Sequence, residues 1–223
     1  MADSTHLDLL KTCCTEAAGK DQWNTWRAQQ PDINPDLVHA DLHGMDLSGL
    51  DLRRANLCEA NLHSAELRTT LLSDAIFQDA NLSYANLSRT DLSKIDLTRA
   101  DLTGALLSGA RLYRTNLTYA RLIQADLRGT NLSGADLRYA NLSQAQLQHA
   151  RLYGADLSGA NLRGANLQFG HLHGADLNGT DLTDADTLHA DLTHILEKFI
   201  SPNDFAILLT LNQSNNNIST YLS

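Results

Sequence analysis

Leucine recurs at every fifth residue through most of this chain. From Ala40 to His194 the sequence divides without insertion into 31 pentads, whose centres fall at residues 42, 47, 52 and onward to 192. The centre, position i, is Leu in 29 of the 31, with Phe77 and Thr187 the exceptions, so the repeat governs the architecture. Position i−2 is mostly Ala; Thr70, Thr90, Thr115, Thr130 and Thr180 stand there too, as do Met45, Leu50, Ile95 and Gly170. Position i−1 is mostly Asp or Asn, and i+1 and i+2 carry mixed polar residues or Gly.

Neither regular secondary structure keeps such leucines together. On an α-helix a five-residue step turns about 500°, so successive leucines advance about 140° and form no stripe. On a flat strand an odd period sends them to opposite faces. The chain must therefore bend once per pentad, with i and i−2 pointing into a shared interior. The Asn, Asp, Ser and Gly between the apolar positions favour such turns. Stacked coils of this kind form a solenoid, in which each leucine is buried against those above and below. Burial of one such leucine contributes about 1.5–3 kcal/mol before chain entropy is subtracted.

The runs ADLSGANLRGANL (155–167) and GTNLSGADLRYANL (129–142) closely resemble the A(D/N)LxX signature of pentapeptide-repeat proteins. The resemblance covers Ala40 to His194, about 70% of the chain. It implies an all-β solenoid: a right-handed quadrilateral β-helix with four pentads per coil and about eight coils. At about 4.8 Å per coil the rod is about 37 Å long. Four pentads per coil place Leu42, Leu62, Leu82, Leu102, Leu122, Leu142, Leu162 and Leu182 in one internal column.

Both ends of a solenoid expose apolar core and edge backbone, so caps are expected. Residues 1–39 lack the repeat and are predicted to form an N-terminal helical cap. Thr5 to Asp8 fits a capping box, Leu7, Leu10, Cys14 and Ala17 follow at helical spacing, and Gly19 is expected to end that helix. Asp21 is expected to cap a second helix carrying Trp23, Trp26 and Arg27, which Pro31 stops. The stretch from Trp23 to Leu42 resembles N-terminal leaders of bacterial pentapeptide proteins. Both tryptophans are expected against the first coil, near Leu37 or Leu42. Residues 40–194 form the solenoid. Residues 195–223 are expected to supply a C-terminal helical cap, Ser201–Pro202–Asn203–Asp204 opening an apolar helix from Phe205 to Leu211, followed by a polar tail. That helix serves as a cap or as a dimer contact, so the protein is a monomer or a dimer through its C-terminus. Thr187 is expected to make the last coil irregular.

Composition narrows the function. A net charge of −9 disfavours direct binding to nucleic acid or to an anionic membrane. No apolar run is long enough to span a bilayer, and Met1 to Leu10 lacks the basic residues of a signal peptide, so a cytoplasmic location is expected. Cys13, Cys14 and Cys58 make no disulfide framework; the adjacent pair reads as helix packing in preference to a redox pair. His43 with His63, and His171 with His173, lack the third and fourth ligands a metal needs. No nucleophile, Walker or dinucleotide motif occurs, so neither an enzyme nor a cofactor is expected.

Twenty-residue spacing stacks side chains along the rod. Arg111, Tyr113 and Arg114 share one pentad, and Arg151 and Tyr153 lie two coils further on the same side. Tyr119 and Tyr139 stack on the next side. Tyr and Arg are typical interface anchors, so these seven residues are the candidate contacts for a protein partner. From Tyr153 to His194 six acids, among them Asp156, Asp176, Asp181 and Asp184, oppose Arg163 alone, whereas Ala40 to Leu152 is neutral. The leading reading is a non-catalytic interaction module with an unidentified protein partner. The alternative is a DNA mimic that binds DNA gyrase, as the resemblance allows. The neutral proximal coils and the scarcity of central Phe argue against it.

Overall fold

The computed structural model describes residues 4–15 and 19–192. Two helices open the chain, α1 (Ser4–Thr15) and α2 (Gly19–Gln29). From Asp36 onward each pentad but that of Leu71 contributes one parallel β-bridge from its i−1 residue to the residue 20 positions later: Asp36 to Asn56, Asp41 to Asn61, Asp46 to Glu66, Asp51 to Leu71, and so on to His171 with Asp191. An offset of 20 residues is four pentads per coil, so the solenoid is four-sided. We call the sides faces one to four, beginning with the pentads 35–39, 40–44, 45–49 and 50–54. The pairing starts at Asp36, one pentad before Ala40. The column from Leu42 to Leu182 lies inside throughout, no member more than 5% exposed.

The backbone explains the consensus. Within a pentad, the N–H of Leu42 donates to Asn61 O (2.8 Å) and that of Gly44 to His63 O (2.8 Å). The N–H of Asn61 donates back to Ala40 O (2.9 Å), and the N–H of Met45 closes a turn on Leu42 O (3.2 Å). One amide per pentad, that of i+1, has no backbone acceptor. The i−1 carboxylate or amide oxygen takes it: Oδ1 of Asp46 accepts from Ser48 N (3.0 Å), and Oδ1 of Asn161 from Arg163 N (2.9 Å). Asp or Asn at i−1 thus completes the hydrogen bonding of all five amides. At i+2 every residue from His39 to His189 has φ near +60°, as the third residue of a type II turn requires. Only 11 of these 31 are Gly, so 20 side chains are held in the left-handed region against a preference of about 1–2 kcal/mol each. Thr at i−2 stays buried because its hydroxyl donates to a leucine carbonyl, as Thr115 Oγ1 does to Leu92 O (2.7 Å). One rung is absent among the described residues: Leu71 and Asp91 do not pair.

The first coil leaves unpaired the groups that a preceding coil would have used, and the helices take them up. Trp23 Nε1 donates to Asp51 O (2.9 Å), Arg27 to Arg53 O (3.0 Å) and Lys20 Nζ to Ser48 O (3.0 Å). Asn24 Oδ1 accepts from Asp51 N (2.8 Å), and His6 Nδ1 from Asp36 N (3.3 Å). Trp23 is wholly buried, its ring 5.0 Å from Trp26, which lies 5.4 Å from His6. The anchor of Trp23 is Asp51, on face four. Arg27 is buried as well, and its guanidinium also donates to Ile33 O (2.5 Å).

Several local expectations change. Gly19 does not end α1; it is the first residue of α2, and a Cβ there would lie 2.0 Å from the Cys13 carbonyl oxygen. Glycine is needed for that close approach. Asp21 lies in the first turn of α2, not ahead of it, and α1 begins at Ser4, which places Thr5 in its first turn. Thr187 sits in a regular turn, with Ala190 N donating to its carbonyl (2.9 Å) and His189 at φ 58°. None of Cys13, Cys14 and Cys58 forms a disulfide among the described residues, and burial pushes the Cys14 thiol up to about 11, leaving little thiolate for redox chemistry. The expected C-terminal helix lies outside the described residues.

Two outcomes follow from the helix contacts. Trp23→Ala should lower stability by about 3–5 kcal/mol, read by denaturant unfolding, and should promote self-association of the exposed edge. The hydrogen bond from Lys20, with that from Ser48, holds the Asp46 carboxyl at about 2. A depressed carboxylate stabilises above its unfolded value and loses that contribution as pH falls through the folded one. The stability difference between wild type and Asp46→Asn, which keeps the turn acceptor, should therefore shrink from about pH 5 to about pH 2.

Candidate functional site

Face four carries the densest set of interface-type side chains. Its pentads 110–114, 130–134, 150–154 and 170–174 contain Arg111, Tyr113, Arg114, Arg151, Tyr153, His171 and His173, and no Asp or Glu. Tyr113 and Tyr153 are 37% and 41% exposed, large areas for aromatic rings. The Arg114 guanidinium lies over the Tyr113 ring at 5.2 Å, and its Cγ would be 3.2 Å from a Cβ at Gly134. Tyr153 stacks on His171 at 5.6 Å. Arg111 lies 3.5 Å from Asp91 one coil away. Arg151 makes no ion pair among the described residues.

Face four also departs from the repeat. Arg111, Arg151 and His171 occupy i−1, where Asp or Asn would accept the i+1 amide. The amides of Tyr113 and Tyr153 consequently have no acceptor among the described residues. A neighbouring corner adds residues that pentad-by-pentad reading passes over. His149, Phe169 and His189 form a continuous stack, with centroid distances of 5.1 and 5.0 Å. Their 20-residue spacing was the available signal. Tyr119 and Tyr139 stack at 5.1 Å on the corner after face one, so the seven candidate residues divide into five on one face and two beyond its edge. Gly159 makes room for Tyr139, whose ring would lie 2.7 Å from a Cβ there.

The acidic candidates do not form one stripe. Asp156 and Asp176 lie on face one, Asp181 and Asp184 on face two. Three of them are turn acceptors first: Asp156 for Ser158 N, Asp176 for Asn178 N and Asp181 for Thr183 N, each at 2.9 Å. The Thr183 hydroxyl holds the Asp181 carboxyl below its usual range. Asp184 stands at i+2, 3.5 Å from Arg163, and Arg138 reaches Asp156 at 3.7 Å. His43 Nδ1 is 3.1 Å from Asp41, while His63 Nδ1 is 2.8 Å from Ser83 Oγ. Among the described residues no three His, Cys, Asp or Glu side chains converge as a metal site. No helix there is long and apolar enough to cross a membrane.

Twenty-residue coils with flat, ladder-bearing sides define a four-sided solenoid. The chain belongs to the pentapeptide-repeat family: the family description, pentapeptide repeats (8 copies), matches residues 36–74, 62–99, 75–112, 95–134, 125–164 and 160–195. Membership implies the right hand of the helix; the four sides are visible in the bridges themselves. No curated protein matches with significance. Among solved structures the chain is similar to HetL, a pentapeptide repeat protein involved in heterocyst differentiation regulation from the cyanobacterium Nostoc sp. strain PCC 7120. Identity is 35% over 70% of this chain and 86% of HetL, with a TM-score of 0.28. It is similar to alr5209 from Nostoc PCC 7120, 40% identical over 47% of this chain and 82% of that one, TM-score 0.37. It is also similar to full-length QnrB1, a plasmid-mediated fluoroquinolone resistance protein. There identity is 24% over 68% of this chain and 81% of that one, TM-score 0.37.

The turn role of the aspartates has a direct check. Asp156→Asn keeps the acceptor and should leave stability within about 0.5 kcal/mol, whereas Asp156→Ala should lose about 1 kcal/mol in denaturant unfolding.

Proposed function

We propose that this protein is a non-catalytic interaction module that docks a protein partner on face four, working in the cytoplasm, where thiols such as those of Cys14 and Cys58 stay reduced. The observation that carries this reading is the composition of that face. It concentrates Arg and Tyr, excludes carboxylates over four coils, and gives up the structural residue at i−1 in three of its four pentads. Nothing in the fold is gained by that exchange, since Asp or Asn at those positions would close two more amides. A rigid scaffold presenting exposed rings and guanidiniums loses little side-chain and backbone freedom on binding.

The gyrase reading draws on the net charge of −9 and on the acidic distal coils. A phosphate-like surface needs a continuous line of uncompensated acids. Here the six distal acids are spread over all four faces, with Arg138 and Arg163 among them. The interaction module is the better account.

Affinity purification from the native cell, with mass spectrometry, tests the proposal. The variant Arg111→Ala/Tyr113→Ala/Tyr153→Ala should keep its fold and lose proteins that wild type retains. The purified wild type should leave gyrase supercoiling unchanged. Retention of every partner by the triple variant, or stoichiometric gyrase inhibition, would overturn the reading.

A further inference from the structure

Resting on the docking role of face four, we infer that its partner presents an acidic segment whose carboxylates occupy the two turns where the repeat omits its own. In an ordinary pentad the i−1 side chain places a carboxylate or amide oxygen on the i+1 amide, as Asp136 does for Arg138 N at 3.2 Å and Asn131 for Ser133 N at 3.1 Å. In the pentads of Arg111 and Arg151 that oxygen is missing and a guanidinium stands in its place. Each pentad therefore offers an outward amide, of Tyr113 or Tyr153, beside an arginine. An incoming carboxylate would accept from both, the arrangement that the repeat builds internally with the roles divided between two chains. Bonds from charged donors to a carboxylate are the strong ones. The nearest internal competitor is weak: Asp91 lies 3.5 Å from Arg111, and among the described residues no carboxylate pairs with Arg151.

Geometry sets the spacing of the ligand. The two turns are two coils apart, about 10 Å at the inter-strand repeat. A peptide in the polyproline II conformation covers that distance in one turn of three residues at about 3.1 Å each and returns every third side chain to the same side, so acids at every third position meet both turns. The Tyr113 and Tyr153 rings, with Phe169 at the adjoining corner, flank the track with apolar surface. An acidic peptide is favoured over a single-stranded nucleic acid because the next face carries Asp136, Asp156 and Asp176, which repel a continuous phosphate chain.

The test uses the full chain and a fluorescein-labelled peptide of four Glu-Gly-Gly repeats, followed by anisotropy. A Gln-Gly-Gly peptide and a labelled twelve-residue oligo-thymidine serve as controls. The Glu peptide should bind despite the protein's net negative charge, and raising salt from 50 to 300 mM should weaken it several-fold. The Gln peptide and the oligo-thymidine should bind at least tenfold more weakly. The decisive variant is Arg111→Asn/Arg151→Asn, which restores the consensus acceptor. It should be at least as stable as wild type and bind the Glu peptide at least tenfold more weakly. Equal binding by that variant, no binding of the Glu peptide by wild type, or tighter binding of the oligo-thymidine would each overturn the inference. If the Glu peptide fails while the alanine triple variant still loses a cellular partner, the chemistry assigned here is wrong and the docking role stands.

Discussion

The hydrogen bond from the i+1 amide to the i−1 side chain is the constraint on which the rest depends. A coil with a turn every five residues cannot satisfy all its amides through its neighbours, because the turn carries one of them to the outside. Asp or Asn at i−1 supplies the missing acceptor. With that amide closed, three of the others pair along the stack and the fourth closes the turn on the preceding leucine carbonyl, and the leucine between them can be held inside at close to zero exposure. The same closure lets the ladder hold non-glycine residues at φ near +60°, including the bulky Tyr84, because the bonds on either side leave the backbone no cheaper path.

This constraint also separates structural acids from functional ones. The chain is strongly acidic, yet most of its aspartates stand at i−1 with an oxygen already engaged by an amide. Their charge is a by-product of turn chemistry, and Asn performs the same task without it. The informative positions are those where the repeat gives up its acceptor. Leu71 does so two coils before Arg111 on the same side, and Ile76, Leu106 and Arg121 do so singly on the other three sides. Arg111, Arg151 and His171 do so along one side, beside exposed tyrosines, and that concentration is what marks face four as a surface under a second demand.

The open edge obeys the same accounting. Trp23, Asn24, Arg27 and Lys20 give the first coil the bonds that an eliminated preceding coil would have made, through side chains in place of backbone. A helix can terminate a ladder in this way because its side chains reach the edge at irregular intervals, which a helical backbone with its own bonds closed does not. Gly19 belongs to the same contact: α2 can start against Cys13 only where no Cβ intervenes.

The pentad period by itself determined that the chain bends every five residues, that leucine and alanine point inward, and that the coils stack, because no helix or flat strand reconciles an odd period with a single apolar interior. The 20-residue spacing also made the Tyr119–Tyr139 stack legible, and could have disclosed the His149–Phe169–His189 stack had it been followed at i+2. Other features needed the folded chain. Whether Gly19 ends one helix or begins the next depends on the approach of α2 to Cys13, a contact no local pattern records. The dispersal of the distal acids over all four faces follows from their position around the coil, which a count along the chain does not resolve. The unclosed amides of Tyr113 and Tyr153 belong to the folded stack, since an amide's partner lies up to 21 residues away and is set by the stack, not by its neighbours in sequence.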